Sequence, residues 1–235
     1  MVKSAQSLTR GVEERISNLR TYLNLREINS NLTAENDALR NTIERFVKKE
    51  DMTFYSASDT IFKQQYQYIS SEVINNSVNK QKNYITLNRG RRQGVGIDMA
   101  VTSNNNIAGV IVGCSENYSV AISLLNLDFR VSARIRSNGY FGSLSWDGHN
   151  PKHAVLNEIP QHINVSVGDT IETTGFSAIF PEGTLVGIIS DLKKSGSDFY
   201  KIEVELFTDF RNLHYVSVIG NIKKSEQHQL EKQFQ

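Results

Sequence analysis

Several things are scarce in this chain of 235 residues, and each scarcity excludes something. There is one cysteine, Cys114, so an intrachain disulfide and a cysteine-based zinc knot are excluded. There are three prolines and 15 glycines, which fits ordered structure rather than a repetitive linker. No run of about 18 apolar residues occurs, so the sequence contains no transmembrane helix. The first residues, Met1-Val2-Lys3-Ser4-Ala5-Gln6-Ser7, lack the apolar stretch of a secretory signal. Charge of one sign is also missing: 26 Lys and Arg face 25 Asp and Glu, a net charge of +1. A duplex-binding domain carries a basic excess, so no nucleic-acid partner is expected. With 39 % hydrophobic and 9 % aromatic residues, the chain is too apolar to be disordered throughout.

What is present begins with a helical pattern. Val12, Ile16, Leu19 and Leu23 form one run of apolar residues in steps of three and four. Leu25, Ile28, Leu32, Asn36, Leu39, Ile43 and Phe46 form a second, out of phase with the first. Such a stripe is the seam of a coiled coil, and an Asn at a seam position favours one register and partner number. The positions between, Asp37 and Arg40 among them, are charged or polar. No proline or glycine lies between Val12 and Met52. A helix from Val12 to Phe46 spans about 52 Å at ~1.5 Å per residue. So long and polar a helix needs a partner: most simply a second copy in a parallel dimer, with packing on its own globular domain as the plainer alternative. The expected seam residues are Ile16, Leu19, Leu23, Ile28, Leu32, Asn36, Leu39, Ile43 and Phe46.

After Phe54 the texture becomes β. Short strand-like runs alternate with Asn, Gly and Asp clusters. An internal repeat is visible. Ile85-Thr86-Leu87-Asn88 resembles Ala154-Val155-Leu156-Asn157, and Gly96 to Thr102 resembles Val167 to Thr173. Gly109-Val110-Ile111 returns as Gly187-Ile188-Ile189, and Asp128-Phe129-Arg130 returns as Asp209-Phe210-Arg211. Five or six short strands per unit suffice for a small closed barrel. The expected fold is therefore mainly β with a long N-terminal α-helix: a coiled-coil helix (1–54), two tandem small β-barrels (55–136 and 137–222) and a polar tail (223–235). Strands crossing between the units would soften the boundary near Arg136.

Two stretches carry a family resemblance. One is Asn83-Tyr84-Ile85-Thr86-Leu87-Asn88-Arg89-Gly90 with Gly94-Val95 and Met99-Ala100-Val101. The other is Gly168-Asp169-Thr170-Ile171-Glu172-Thr173-Thr174-Gly175, followed by Phe180-Pro181-Glu182-Gly183-Thr184-Leu185-Val186-Gly187-Ile188. Together they resemble the rod shape-determining MreC family, with Thr174 where that family usually has Ser. The Leu32 to Leu39 block resembles its coiled coil. The resemblance implies a non-catalytic scaffold of the bacterial wall-elongation machinery, anchored once in the inner membrane with this region in the periplasm and the anchor absent from this chain. It implies a homodimer that assembles further. It also implies the elongation penicillin-binding protein and MreD as partners, and MreB indirectly across the membrane. No cofactor or metal is implied.

Under that reading Gly175, Pro181, Gly183 and Gly187 are structural turn residues, the glycines supplying tight turns or positive φ or allowing close backbone approach. Phe129, Tyr140, Phe141, Phe176, Phe180 and Phe210 are candidate partner-binding aromatics, each with core as the plainer alternative. A serine hydrolase on tandem barrels is the competing reading, with Ser177, His149 or His153, and Asp169 as its triad; no Gly-Asp-Ser-Gly-type loop supports it. Ser77-Val78-Asn79-Lys80 and Ser190-Asp191-Leu192-Lys193 match Ser-x-x-Lys. Lys194-Ser195-Gly196 follows immediately rather than far downstream, so the match is incidental. His149 and His153 flank Pro151 and need not share a face, and Cys114 reads as a small buried residue.

Overall fold

A computed structural model describes residues 25–43, 65–194 and 198–234. Helix α1 covers residues 25–43, inside the expected 12–46 span. Ile16, Leu19, Leu23 and Phe46 lie outside the described residues. Among the described residues twelve strands follow, and a short helix α2 (Lys224–Glu231) occupies the polar tail.

The strands obey the two-residue period. In β2 (Lys82–Leu87) Asn83, Ile85 and Leu87 are buried while Lys82 and Tyr84 face outward. In β6 (Val131–Ile135) Val131, Ala133 and Ile135 are buried. In β11 (Phe199–Leu206) Ile202, Val204 and Leu206 are. Alternate side chains point to opposite faces, so each such strand commits one face to a core. Burying one such aliphatic side chain contributes about 1.5–3 kcal/mol. Turn chemistry sets the registers locally. Between β3 (Ala100–Ser103) and β4 (Asn106–Cys114), Asn104 and Asn105 both take positive φ, 50° and 67°, and Ser103 pairs with Asn106. Two positive-φ residues make the tight connection whose twist suits a hairpin, and Asn tolerates it.

The pairings close into two circuits. In ring 1, β1 (Tyr66–Asn76) pairs with β2, then come β5 (Ser119–Asn126), β4, β3 and β12 (Tyr215–Asn221), and β12 pairs back with β1. In ring 2, β7 (Phe141–Ser145) pairs with β8 (His153–Pro160). Next come β11, β10 (Leu185–Lys194), β9 (Thr170–Thr173) and β6, which returns to β7. Every contact within a ring is antiparallel. Among the described residues a single parallel pair, Leu185 with Asn106, joins β10 to β4.

The sequence repeat maps onto this order. β2, β3, β4 and β5 of ring 1 correspond to β8, β9, β10 and β11 of ring 2. The sixth strands are exchanged: β6 follows β5 in sequence yet closes ring 2, and β12 follows β11 yet closes ring 1. The pairing therefore crosses the boundary drawn at residue 136, because β6 lies before it and β12 lies in the second half. The repeated Asp-Phe-Arg triplets sit at the two crossings. Phe129 and Phe210 are both buried there, and Asp209 accepts the Arg211 backbone N–H at 3.0 Å. Each crossing is thus held by an aromatic side chain sunk in the core, which is a packing role.

Candidate docking surfaces

The segment between β9 and β10 carries the Phe-Pro-x-Gly motif. Gly175 and Gly183 have φ of 79° and 78°, a region in which an L side chain is strained. The carbonyl of Pro181 accepts from the hydroxyls of Thr173 (2.7 Å) and Thr184 (2.9 Å), both buried. Phe180 is 1 % exposed and anchors the loop in the core. Phe176, four residues earlier, is 65 % exposed. The loop thus holds one aromatic inside and displays another.

Phe176 meets Phe141 of β7 edge to face, with centroids 5.2 Å apart and planes at 88°. This is a preferred aromatic geometry, worth about 0.5–1.5 kcal/mol beyond area burial. Phe141 is 54 % exposed and Tyr140 beside it is also exposed. Phe141 pairs across the sheet with Arg134 of β6, and Arg134 pairs with Glu172 of β9. Directly opposed residues share a face, so the aromatic pair stands beside a charged cluster. Glu172, buried, accepts from Arg134 (Nε 3.0 Å, Nη2 2.9 Å) and from Arg136 (Nε 2.6 Å). Arg134 Nη1 also reaches Glu182 on the loop at 2.6 Å. Burial pushes the Glu172 carboxyl up, but the hydrogen bonds from Arg136 and Arg134 outweigh it and hold the group below its ordinary value. The cluster ties the aromatic-bearing loop to the sheet.

Three of the six candidate aromatics are corrected here. Phe129, Phe180 and Phe210 are 4 %, 1 % and 2 % exposed and belong to the core, so they are withdrawn as partner-binding residues. Tyr140, Phe141 and Phe176 remain at the surface. Of the roles expected for Gly187, close backbone approach is the one the structure gives: a Cβ there would lie 2.0 Å from the Glu205 carbonyl oxygen of β11. Sequence reasoning missed Arg134, Glu172 and Glu182, because their meeting depends on strand register.

α1 presents a second surface. Leu25, Ile28, Leu32, Leu39 and Ile43 are each about half exposed. Asn36 is exposed on the same helix and donates to the Leu32 carbonyl at 3.0 Å. The helix meets ring 1 with its polar side instead. Asp37, expected among the outward charges, is buried there against Ser217.

No reactive constellation assembles among the described residues. His153 Nδ1 lies 3.0 Å from a Glu203 carboxylate oxygen, Asp169 accepts the Ser166 N–H, and no hydrogen bond links exposed Ser177 to either histidine. Ser190 Oγ donates to the Glu203 carbonyl, and Lys193 pairs with Asp191. Among the described residues, no three His, Cys, Asp or Glu side chains gather to hold a metal, and no helix is long and apolar enough to cross a membrane. Cys114 is partly buried and donates to the Val95 carbonyl at 3.1 Å.

The fold class is thus mainly β, a six-stranded β-barrel core with further strands and one N-terminal helix. Residues 73–220, more than half of the chain, match the family described as rod shape-determining protein MreC, barrel core, and the chain belongs to that family. The cell shape-determining protein MreC of Geobacillus stearothermophilus is 28 % identical over 169 residues, covering 66 % of this chain and 57 % of that protein. The chain therefore spans just over half the length of that relative. An MreC structure from Listeria monocytogenes superposes with a TM-score of 0.63 at 21 % identity, covering 89 % of this chain and 94 % of that one. The MreC in a complex with penicillin-binding protein PBP2 from Helicobacter pylori superposes with a TM-score of 0.54 at 16 % identity, covering 67 % of this chain and all of that one.

Proposed function

We propose that this protein is a non-catalytic scaffold of the bacterial wall-elongation machinery that docks a wall-synthesis enzyme on its β surface. The observation that carries this reading is the exposed Phe141–Phe176 pair, held in place by the Arg134–Glu172–Glu182 cluster. Aromatic side chains fixed at a surface are favourable anchors for a protein partner. The complex of a family relative with penicillin-binding protein PBP2 supports an elongation penicillin-binding protein as that partner. The two rings act as two small barrels with exchanged closing strands. The apolar stripe of α1 serves as the seam of a coiled-coil homodimer, with Asn36 setting register. MreD, and MreB across the membrane, complete the partner set that family membership suggests. The native protein is held by a single inner-membrane anchor, with this region in the periplasm.

The test is binding of a penicillin-binding protein ectodomain to the chain carrying Phe141→Ala, Phe176→Ala or both. Each exposed ring removed is expected to weaken binding about tenfold or more, while Ser177→Ala binds as the parent does. Unchanged binding by the double variant would remove the aromatic pair from the interface.

A further inference from the structure

α1 touches ring 1 through polar contacts, Arg26 with Tyr215 of β12 and the following four among them. Asn41 grips the Tyr68 backbone in both directions: its Nδ2 donates to the Tyr68 carbonyl at 3.1 Å, and its Oδ1 accepts the Tyr68 N–H at 3.0 Å. Arg26 pairs with Glu72 on β1. The Arg40 guanidinium stands 5.8 Å from the Tyr68 ring centroid. The fourth contact is Asp37, which is 3 % exposed and accepts from Ser217 Oγ of β12 at 2.6 Å through Oδ1. Its second oxygen, Oδ2, is buried without a donor among the described residues. Asp37 lines a cleft of about 360 Å³ with Asn29, Leu32, Thr33, Asn36, Arg40, Asn104 and Ser217.

An ionised carboxylate in that position is poorly served. It needs donors on both oxygens and has one. A neutral carboxyl needs less, because its protonated oxygen no longer carries the charge. Besides Asp37, the charged and titratable groups on the packed elements are Arg26, Glu27, Glu35 and Arg40 of α1, Tyr66, Tyr68 and Glu72 of β1, and Tyr215 of β12; the β3–β4 turn carries only Asn104 and Asn105. Arg40 alone among them favours the ionised form of Asp37, and it does so without an ion pair. Burial dominates and pushes the Asp37 carboxyl up, against smaller opposing effects of Ser217 and Arg40.

We propose that Asp37 is a proton-operated latch: its neutral carboxyl holds α1 against ring 1, and its ionisation loosens the helix. The sign follows from linkage. A carboxyl whose pKa is higher docked than undocked contributes docking stability fully below the ordinary carboxylate value, about 4, and loses it as pH rises through the docked value. Each unit of elevation is worth about tenfold in the docking equilibrium. Docking is therefore tightest below the ordinary carboxylate value and slackens as pH rises through the raised, docked value. The latch makes the placement of the barrels on the helix a property that external acidity can set.

The Tyr68 amide reads the latch directly, since its N–H is held by Asn41 of the helix. Its exchange with deuterium, corrected for the intrinsic pH effect, is followed by NMR on the whole chain at pH 5 and pH 7.5. The Ile202 amide in ring 2 serves as the reference for global stability. Tyr68 protection is expected to fall at least about threefold on going to pH 7.5, with Ile202 unchanged. Asp37→Asn, which cannot ionise, is expected to keep the mild-acid protection at both values. Equal Tyr68 protection at the two pH values, a parallel change at Ile202, or a pH dependence that survives Asp37→Asn would each overturn the latch. Asn41→Ala should expose the Tyr68 amide at both values; continued protection would refute the docked arrangement itself.

Discussion

Gly187→Ala is among the most severe single-methyl changes the fold offers. The added Cβ would stand 2.0 Å from the Glu205 carbonyl oxygen and 2.8 Å from its carbon, where real Cβ contacts stay above 3.0 Å. Both atoms are backbone, so no rotamer change relieves the clash and β10 must move about 1 Å from β11. Gly187 pairs with Leu206 and Ile188 with Glu205, so two rungs of the ladder are stretched. Overpacking of this kind costs about 1–3 kcal/mol, and each weakened rung adds about 1 kcal/mol. The sum, about 3–5 kcal/mol, lowers Tm by about 6–20 °C in a chain of this size. The control is Gly113→Ala in β4, where an added Cβ meets nothing within 4 Å and φ is not positive. It should melt within about 2 °C of the parent. The assay is thermal unfolding by circular dichroism, with both variants at one concentration. Equal Tm values for the two variants would refute the close-approach argument. Gly109→Ala, at the equivalent place in ring 1 and 2.2 Å from the Ile122 carbonyl oxygen, should behave as Gly187→Ala does.

Two further outcomes are expected. Glu172→Gln leaves Arg134 and Arg136 without their shared carboxylate and should cost about 2–3 kcal/mol at neutral pH, the arginines being partly solvated. The Glu172 carboxyl is held below its ordinary value, so its contribution is present above about pH 4 and lost as pH falls through the folded value. The variant should therefore show a flatter acid limb of stability in urea titrations below pH 4, and an unaltered limb would refute the assignment. Ile28→Asp with Leu39→Asp, both on the exposed stripe of α1, should convert a sedimenting dimer to a monomer while leaving the Tm of the β region in place. An unchanged sedimentation coefficient would remove the stripe from self-association.

Much of the β architecture is legible in residue order. The alternation in Asn83 to Leu87 and Val131 to Ile135 reports one buried face, because side chains two apart share a side of the strand. The repeat of Gly109-Val110-Ile111 as Gly187-Ile188-Ile189 marks two equivalent strands and a close approach common to both. The repeated Asp-Phe-Arg triplet marks two equivalent crossings. What residue order did not reveal is that each crossing delivers its strand to the other ring. Pairing partners far apart in sequence are chosen by the core they jointly bury, and no local pattern encodes that choice.

The docking surfaces divide along the same line. The apolar stripe of α1 is a helical period and can be read directly. That the opposite side lies on ring 1, burying Asp37 against Ser217, depends on a contact between residues 180 positions apart. Phe176 and Phe180 show the limit most plainly: two phenylalanines in one loop, one exposed and one in the core. By itself the sequence determined the α1 stripe, the strand alternation, the repeat and the resemblance of its Gly-Asp and Phe-Pro-x-Gly stretches, because period and spacing are properties of neighbouring residues. Only the tertiary structure decided which aromatics are displayed, which strand closes which ring and where a carboxylate is buried, because each of these is settled by whichever distant side chain arrives to exclude water.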